Sequence, residues 1–339
     1  MVNALNRYWF IVATEKEVKK KPQRVILFDL PLVIFFSKEN NQYVALQDRC
    51  PHRNAPLSAG KVCNGHIQCP YHGWQFNEQG TLTKLPALPS KDTPTIKIPH
   101  YHCLAQDGYI WICLAENPAS EKPLPFPHID TDGWHTFRLR TQFDAPVEQC
   151  LENFLDCPHA VYVHNSWFRS ATGKAVTAIV RTLSDGAEVE YINEPREKSL
   201  VWLGLQKTQS KIRHTDRFIA PATSRVDYIF SDEKHYIITS SCTPVSANKT
   251  EVFTVISYRY GKLGGLIRYF FEPLSRIIIK QDVDMMKKQR KNINDFGEER
   301  FYHSKVDFLM PHMLAWRKAM AEEKTPPTEL TETEHTIIL

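Results

Sequence analysis

Short runs of β-branched and aromatic residues, punctuated by turn formers, fill the first third of the chain. Arg24–Asp29, Leu32–Phe36 and Gln42–Leu46 are separated by Leu-Pro and by Lys-Glu-Asn-Asn, and further runs lie at Trp74–Phe76, Thr81–Thr83 and Tyr109–Leu114. This spacing predicts antiparallel strands closed into a small sandwich or barrel. A proline-rich stretch over 116–125 reads as a connector. Beyond it come more strand-like runs, at Thr136–Arg140, Ala175–Val180, Glu188–Ile192, Val226–Phe230, Tyr236–Thr239 and Glu251–Tyr258. The period then changes. Two helical patterns follow, roughly Leu263–Asn294 with interruptions and Lys305–Glu322. Strands first and helices afterwards predict an α+β domain in which helices cover one antiparallel sheet. The expected organisation is an all-β domain over 1–115, the connector over 116–125, an α+β domain over 126–323 and a flexible tail over 324–339, although Ile337-Ile-Leu offers something to dock.

Composition narrows the class without naming a function. The 339 residues have room for two cores, and a net charge of +4 is too small to argue for nucleic acid or a membrane surface. No window of eighteen residues is free of charges and apolar throughout, and the N-terminus lacks the order of a signal peptide, so a soluble, cytoplasmic protein is expected. The eight cysteines show no framework spacing, which favours free thiols outside any metal site.

Chemistry enters at Cys50-Pro-His-Arg and Cys69-Pro-Tyr-His-Gly-Trp. Cys50, His52, Cys69 and His72 form C-x-H, sixteen intervening residues, then C-x-x-H. Structural zinc usually takes paired cysteines before paired histidines, or four cysteines. One cysteine and one histidine in each half suit a [2Fe-2S] centre with both thiolates on one iron and both imidazoles on the other. Pro51, Pro70 and Gly73 fit two tight, opposed loops. Ordinary packing and zinc are the competing readings.

A second constellation lies in Glu148–His164, around Asn153, Asp156, His159 and His164. On an unbroken helix, histidines five apart would diverge by about 140°. Pro158 removes a backbone donor and biases Cys157 away from helical angles, so one helix should end near Asp156 and another begin at Pro158, letting the imidazoles converge. Two imidazoles and a carboxylate make the facial triad of non-haem Fe(II). The candidate carboxylate is Asp282, on an apolar stripe with Ile278, Ile279, Val283 and Met286, whereas Asp284 shares its face with lysines. Bland alternatives are a helix-terminal role for Asp156 and a satisfied core amide for Asn153. His100, His102, His214 and His303 show no comparable pattern.

Together the two constellations resemble the oxygenase component, or α subunit, of the Rieske non-haem iron oxygenases, from Trp9 to Gln281-Asp282. The Asp-Cys-Pro-His wording and the length are most similar to the single-subunit monooxygenase and demethylase group. The resemblance implies a Rieske [2Fe-2S] cluster on Cys50, His52, Cys69 and His72, and a mononuclear Fe(II) on His159, His164 and Asp282. It implies a helix-grip-like catalytic domain, and a homotrimer in which Asp156 links His72 of one subunit to His159 of the next. It also implies hydroxylation or oxidative demethylation of a small apolar or aromatic molecule with O₂. Ring cis-dihydroxylation is the alternative within the family, and a Rieske electron carrier or a zinc-stabilised interaction protein are the alternatives outside it. With no G-x-G-x-x-G in the chain, electrons from NAD(P)H would come from a separate reductase, directly or through a ferredoxin. Trp167, Phe168 and positions between Leu200 and Tyr260 are the unranked candidates for the substrate pocket.

Overall fold

The structure is a computed structural model that describes residues 4–164, 173–192, 194, 212–231, 233–261 and 264–338. Backbone contacts divide it into two units, Met1–Pro125 with Val245–Ala247, and Phe126–Pro244 with Asn248–Leu339.

The first unit is nearly all strand. In chain order it contains β1 (Phe10–Thr14), α1 (Glu15–Lys20), β2 (Gln23–Leu27), β3 (Leu30–Ser37), β4 (Gln42–Gln47), β5 (Lys61–Cys63), β6 (His66–Gln68), β7 (Gln75–Phe76), β8 (Leu82–Lys84), β9 (His100–Gln106) and β10 (Tyr109–Cys113). One sheet runs β1-β10-β9-β4-β3-β2 and a smaller meander runs β5-β6-β7-β8. Alternate residues of β3 and β4 (Val33, Phe35, Val44, Leu46) meet Ile67, Phe76 and Leu82 of the meander in one buried cluster. Period-two alternation puts each set on one sheet face, and each side chain buried this way contributes about 1.5–3 kcal/mol before entropy is charged. Strands β1 and β9 were not evident in the sequence pattern. The histidines and polar positions of β9 blur its alternation, because that strand is only partly buried.

The connector also differs from expectation. Rather than a free linker, its first part lies on the first unit: Ala119 N–H donates to Arg7 O at 2.8 Å, Trp9 Nε1–H to Ser120 O at 2.9 Å, and Gln106 Nε2–H to Pro123 O at 3.2 Å.

The second unit is built on β11 (Trp134–Phe143), α2 (Val147–Leu155), α3 (His159–Val163), β12 (Ala175–Leu183), β13 (Gly186–Ile192), β14 (Arg213–Ile219), β15 (Thr223–Ser231), β16 (Lys234–Ser246), β17 (Lys249–Tyr260), α4 (Gly264–Phe296), α5 (Met310–Ala321) and β18 (Glu332–Ile338). The strands form one sheet of order β11-β17-β16-β15-β14-β13-β12-β18. Helix α4 is continuous across Pro273, where interruptions were expected. Its Phe271, Leu274, Asp282 and Met286 are buried, at helical spacing. Phe271 and Leu274 pack with Phe137, Leu139, Val226, Tyr228 and Ile256 of the sheet.

The expected flexible tail is corrected by β18, which pairs antiparallel with β12 from Arg181↔Glu332 to Ala175↔Ile338. Only Ile337 of this strand is buried. An edge strand that turns Glu332 and Glu334 to solvent looks like a tail in sequence because charge on an exposed edge is how sheets resist further pairing.

Candidate metal centres and active site

The two Cys/His loops of the first unit use the same local device. In the first, Cys50 N–H donates to Ala55 O at 2.9 Å and Asn54 N–H returns to Cys50 O at 2.9 Å. In the second, Cys69 N–H donates to Trp74 O at 2.8 Å and Gly73 N–H returns to Cys69 O at 3.1 Å. The fourth residue after each cysteine turns left-handed, Asn54 at φ 60° and Gly73 at φ 73°. Asparagine and glycine are the residues that tolerate this conformation. Arg49 Nε–H fixes the first loop further by donating to Asn54 Oδ1 at 2.6 Å.

Both cysteines are 2% exposed, whereas His52 and His72 lie at the surface with ring centroids 4.5 Å apart. His52 also stacks on Trp74, at 4.8 Å and 5° between planes. Burial, with the Cys69 sulfur adding to it, pushes the Cys50 thiol up to about 11 against backbone N–H groups that favour the thiolate. Two such thiolates need a cationic partner, and the donor set of two buried sulfurs and two exposed imidazoles fits a Rieske cluster.

In the second unit the chain breaks where Pro158 requires it. Helix α2 ends at Leu155, Asp156 is extended at φ −90° and ψ 93°, and α3 runs from His159 to Val163 with His164 closing it. The break turns both imidazoles toward α4. Asp282 Oδ1 lies 3.1 Å from His164 Nε2 and 3.5 Å from His159 Nε2, and the two rings are 5.2 Å apart.

The opposite nitrogens set the tautomers. His164 Nδ1–H donates to Gln281 Oε1 at 2.9 Å and His159 Nδ1–H to the Asp156 carbonyl. Each Nε2 is thereby left as a lone pair facing the carboxylate. Asp282 Oδ1 is buried and no donor reaches it with hydrogen-bond geometry. An orphaned carboxylate oxygen beside two imidazole lone pairs fits a metal cation, which would also compensate the charge on an otherwise apolar stripe. At Asp156 burial dominates and pushes the carboxyl up, with His159 opposing and Asp307 and Asp216 adding to the rise.

His159, His164 and Asp282 stand in the wall of a cavity of about 1010 Å³, including its mouth. The sheet side is made by alternate residues of five neighbouring strands: Leu139 of β11, His214 and Asp216 of β14, Ser224, Val226 and Tyr228 of β15, Tyr236, Ile238 and Ser240 of β16, and Thr254 and Ile256 of β17. Register brings them into line, as in His214↔Tyr228↔Tyr236 and Asp216↔Val226↔Ile238. Helix α4 supplies the opposite wall through Phe271, Leu274, Ser275, Ile278 and Ile279.

Several residues are placed differently from expectation or were missed. Gln281, adjacent to the expected ligand Asp282, orients His164. His214, dismissed in the sequence, is buried in the cavity wall. Asn153 is not a satisfied amide, because its buried Oδ1 has no partner. Asp284 is an exposed surface partner, 2.8 Å from Lys280. Trp167, Phe168 and the positions from Leu200 to 211 fall outside the described residues. Cys157, Glu194 and His214 also bring ligand atoms within 4.8 Å of one another, but the 2.9 Å contact between Glu194 and His214 is that of a hydrogen bond.

Comparison with known proteins agrees with this layout. Residues 8–102 match the Rieske [2Fe-2S] domain and residues 143–323 the vanillate O-demethylase oxygenase C-terminal domain. The chain therefore belongs to the Rieske oxygenases with a vanillate O-demethylase type of C-terminal domain. It is 35% identical to the chloroplastic chlorophyllide a oxygenase of Arabidopsis thaliana over 56% of this chain and 34% of that protein. It is 34% identical to the methylxanthine N1-demethylase NdmA of Pseudomonas putida over 47% of each chain. The chain thus aligns with about half or less of the length of these relatives. In fold it is similar to dicamba monooxygenase bound to dicamba, with a TM-score of 0.78 at 20% identity over 95% of this chain and 99% of that one. No helix among the described residues is long and apolar enough to cross a membrane.

Proposed function

We propose that this chain is a terminal oxygenase that hydroxylates, or demethylates by hydroxylation, a small apolar or aromatic molecule. The observation that carries the reading is the convergence of two imidazole lone pairs on the orphaned Asp282 oxygen in the wall of a largely apolar cavity. Cys50, His52, Cys69 and His72 would hold the [2Fe-2S] cluster, and His159, His164 and Asp282 a mononuclear Fe(II), which when bound would supply the reductive activation of dioxygen. One oxygen atom enters a C–H bond and the other leaves as water, with two electrons and two protons consumed. If the hydroxylated carbon is an O-methyl or N-methyl group, its bond to the heteroatom then breaks and formaldehyde leaves.

The protein's own residues organise the site. The Asp156 carbonyl and Gln281 fix the imidazole tautomers, and the sheet and α4 hold the substrate against the triad and keep water out. His52 and His72, at the surface, are the side from which electrons enter. They come from a separate NAD(P)H-dependent reductase, directly or by a ferredoxin. In a head-to-tail homotrimer, His72 of one chain would face Asp156 and His159 of the next. A cytoplasmic setting belongs to the same proposal.

The test is a substrate screen of iron-loaded protein with a surrogate reductase, scoring formaldehyde against hydroxylated product. Iron near two atoms per chain and no product from any apolar probe would leave the electron-carrier alternative instead. Asp156→Ala is expected to retain both iron sites, yet lose most turnover; normal, coupled turnover would remove Asp156 from the electron path.

A further inference from the structure

The first unit is charged unevenly around its two Cys/His loops. It holds 14 lysines and arginines against 10 aspartates and glutamates, so the chain's whole excess of +4 lies on it. Part of that excess is gathered beside the first loop. Lys21, Arg24 and Arg49 line an open groove of about 1420 Å³ that takes in Asn54 and Pro56 of this loop. Arg53, next to His52, is exposed. The second loop, from Cys69 to Trp74, carries no lysine, arginine or acid, and presents the 65% exposed Tyr71 beside His72.

The groove keeps its positive sign because its acid is turned inward. Asp48 is the one acidic residue among the described residues that line it, and its side chain is wholly buried. Arg24 Nη1 lies 2.5 Å from Asp48 Oδ2, and Ser58 donates its backbone N–H to Oδ1 and its hydroxyl to Oδ2, both at 2.7 Å. The Arg24 side chain is still 49% exposed. Arg49 gives its Nε–H to Asn54, which ties its guanidinium to the loop that carries His52. A positive patch of this kind attracts an anionic protein surface and raises the rate of encounter more than it raises affinity. Electron-transfer encounters bury less than about 1,200 Å², so one groove and the edge of one loop are surface enough.

We propose that this groove and Arg53 form the docking surface for the protein that reduces the cluster, and that the partner meets it with an acidic face around its own one-electron centre. The inference rests on the reading of Cys50, His52, Cys69 and His72 as cluster ligands, and adds the chemistry of the donor and the loop on which it lands. One electron passes per encounter. The donor's centre is oxidised by one electron, the chain's cluster is reduced by one, and no bond forms or breaks. Entry at the His52 loop leaves the uncharged His72 loop for the onward step to a neighbouring chain.

The probe is a plant-type [2Fe-2S] ferredoxin, a small acidic protein, used oxidised to measure binding and photoreduced to measure electron transfer. Both are measured on the full chain with its cluster loaded and no substrate present. At low salt the oxidised ferredoxin is expected to bind, and ferredoxin with its carboxylates amidated to bind about tenfold weaker or less well still. The anaerobic rate of cluster reduction should fall by about tenfold between about 20 and about 500 mM salt. Lys21→Glu and Arg53→Glu should each lower affinity and rate by about tenfold at low salt. Lys38→Glu makes the same change of charge at the other end of the β3–β4 hairpin, and should alter them by less than about twofold. Reduction by photoreduced 5-deazariboflavin, which is small and uncharged, should be the same in all four proteins.

Binding and reduction that are indifferent to salt and to amidation in the unmodified protein overturn the inference. So do equal effects of Lys38→Glu and Lys21→Glu, which would make net charge, not the groove, responsible. The first comparison needs no variant, so a variant that fails to fold does not rescue the idea. The visible spectrum of the same preparation keeps the two readings apart. A loaded chain without a Rieske spectrum would break the cluster reading. A normal spectrum, with ferredoxin and its amidated form bound alike, would break this inference alone.

Discussion

The two candidate metal sites treat solvent in opposite ways. In the first unit the sulfurs are buried and the imidazoles exposed, and four donors come from two short loops of the same construction. In the second, His164 and Asp282 are 4% and 5% exposed, and the third donor, His159, is held in by a broken helix. On the proposed function, the difference follows from what each site has to exchange. A cluster that passes single electrons to and from partners needs an edge at the surface, and a few residues of loop suffice to build it. A site that binds a molecule and activates dioxygen must exclude water, so it needs walls, and walls require distant segments.

The comparison is broken most sharply by emptying one site at a time. Cys69→Ser is expected to bleach the visible spectrum of the cluster, while Asp282→Ala leaves that spectrum intact and lowers iron from about three atoms per chain to about two. Each should reduce reductant-driven turnover by roughly a thousandfold or more. If Asp282→Ala kept its iron, α4 would not supply the carboxylate ligand.

A smaller effect is expected at Gln281→Leu, which takes the acceptor from His164 Nδ1–H and frees the ring to turn. Iron affinity should fall by about 10- to 100-fold, with the cluster untouched. Competition with a chelator reads this directly, and an unchanged affinity would mean that packing alone orients His164.

In the loops the test is conformational. Gly73 sits at φ 73°, and a Cβ there would lie 3.1 Å from Pro86 Cγ. Gly73→Ala should destabilise the first unit by about 1–3 kcal/mol, seen as a shifted unfolding midpoint of the cluster absorbance. No shift would mean that the loop relaxes without cost.

The smallest effect concerns Asp227, which by strand alternation faces away from the cavity. Burial raises its carboxyl, but hydrogen bonds from His235 at 3.0 Å and Arg225 at 2.6 Å outweigh this and hold it below the ordinary aspartate value of 3.8. A carboxyl depressed in the folded state stabilises it above the ordinary value, and the benefit is lost as pH falls through the folded value. Asp227→Asn should therefore cost about 1 kcal/mol near neutral pH, and the gap to the unmodified protein should close in acid below 3.8. A gap independent of pH would show that shape, not charge, matters there.

Much of this was legible in the residues, because the decisive constraints were local. Cys50-x-His52 and Cys69-x-x-His72 mark candidate cluster ligands by adjacency, and Asn54 and Gly73 mark the turns that hold them. Pro158 broke a helix at the expected place, since a missing N–H acts on its own neighbours whatever the fold. Asp282 was found by helical period, as the one carboxylate on an apolar stripe.

What stayed hidden depends on register and pairing. β18 reads as a tail because an edge strand shows its charges, and only its partner β12 makes it a strand. Gln281 carries no signal in sequence beyond its place beside a candidate ligand, since its role is set by where His164 lies in the fold. His214 and Asp216 are two apart on β14, a spacing that in sequence means only a shared sheet face. Strand pairing decides that this face looks into the cavity beside Val226, Tyr228 and Ile238. Residue order determined the two metal-binding patterns and the fold class, because those are consequences of neighbouring side chains. Tertiary structure alone decided the cavity and the orientation of its candidate ligands, because helix packing sets where those ligands meet and a one-residue slip in any strand would turn the side chains it gives to the wall to the other face.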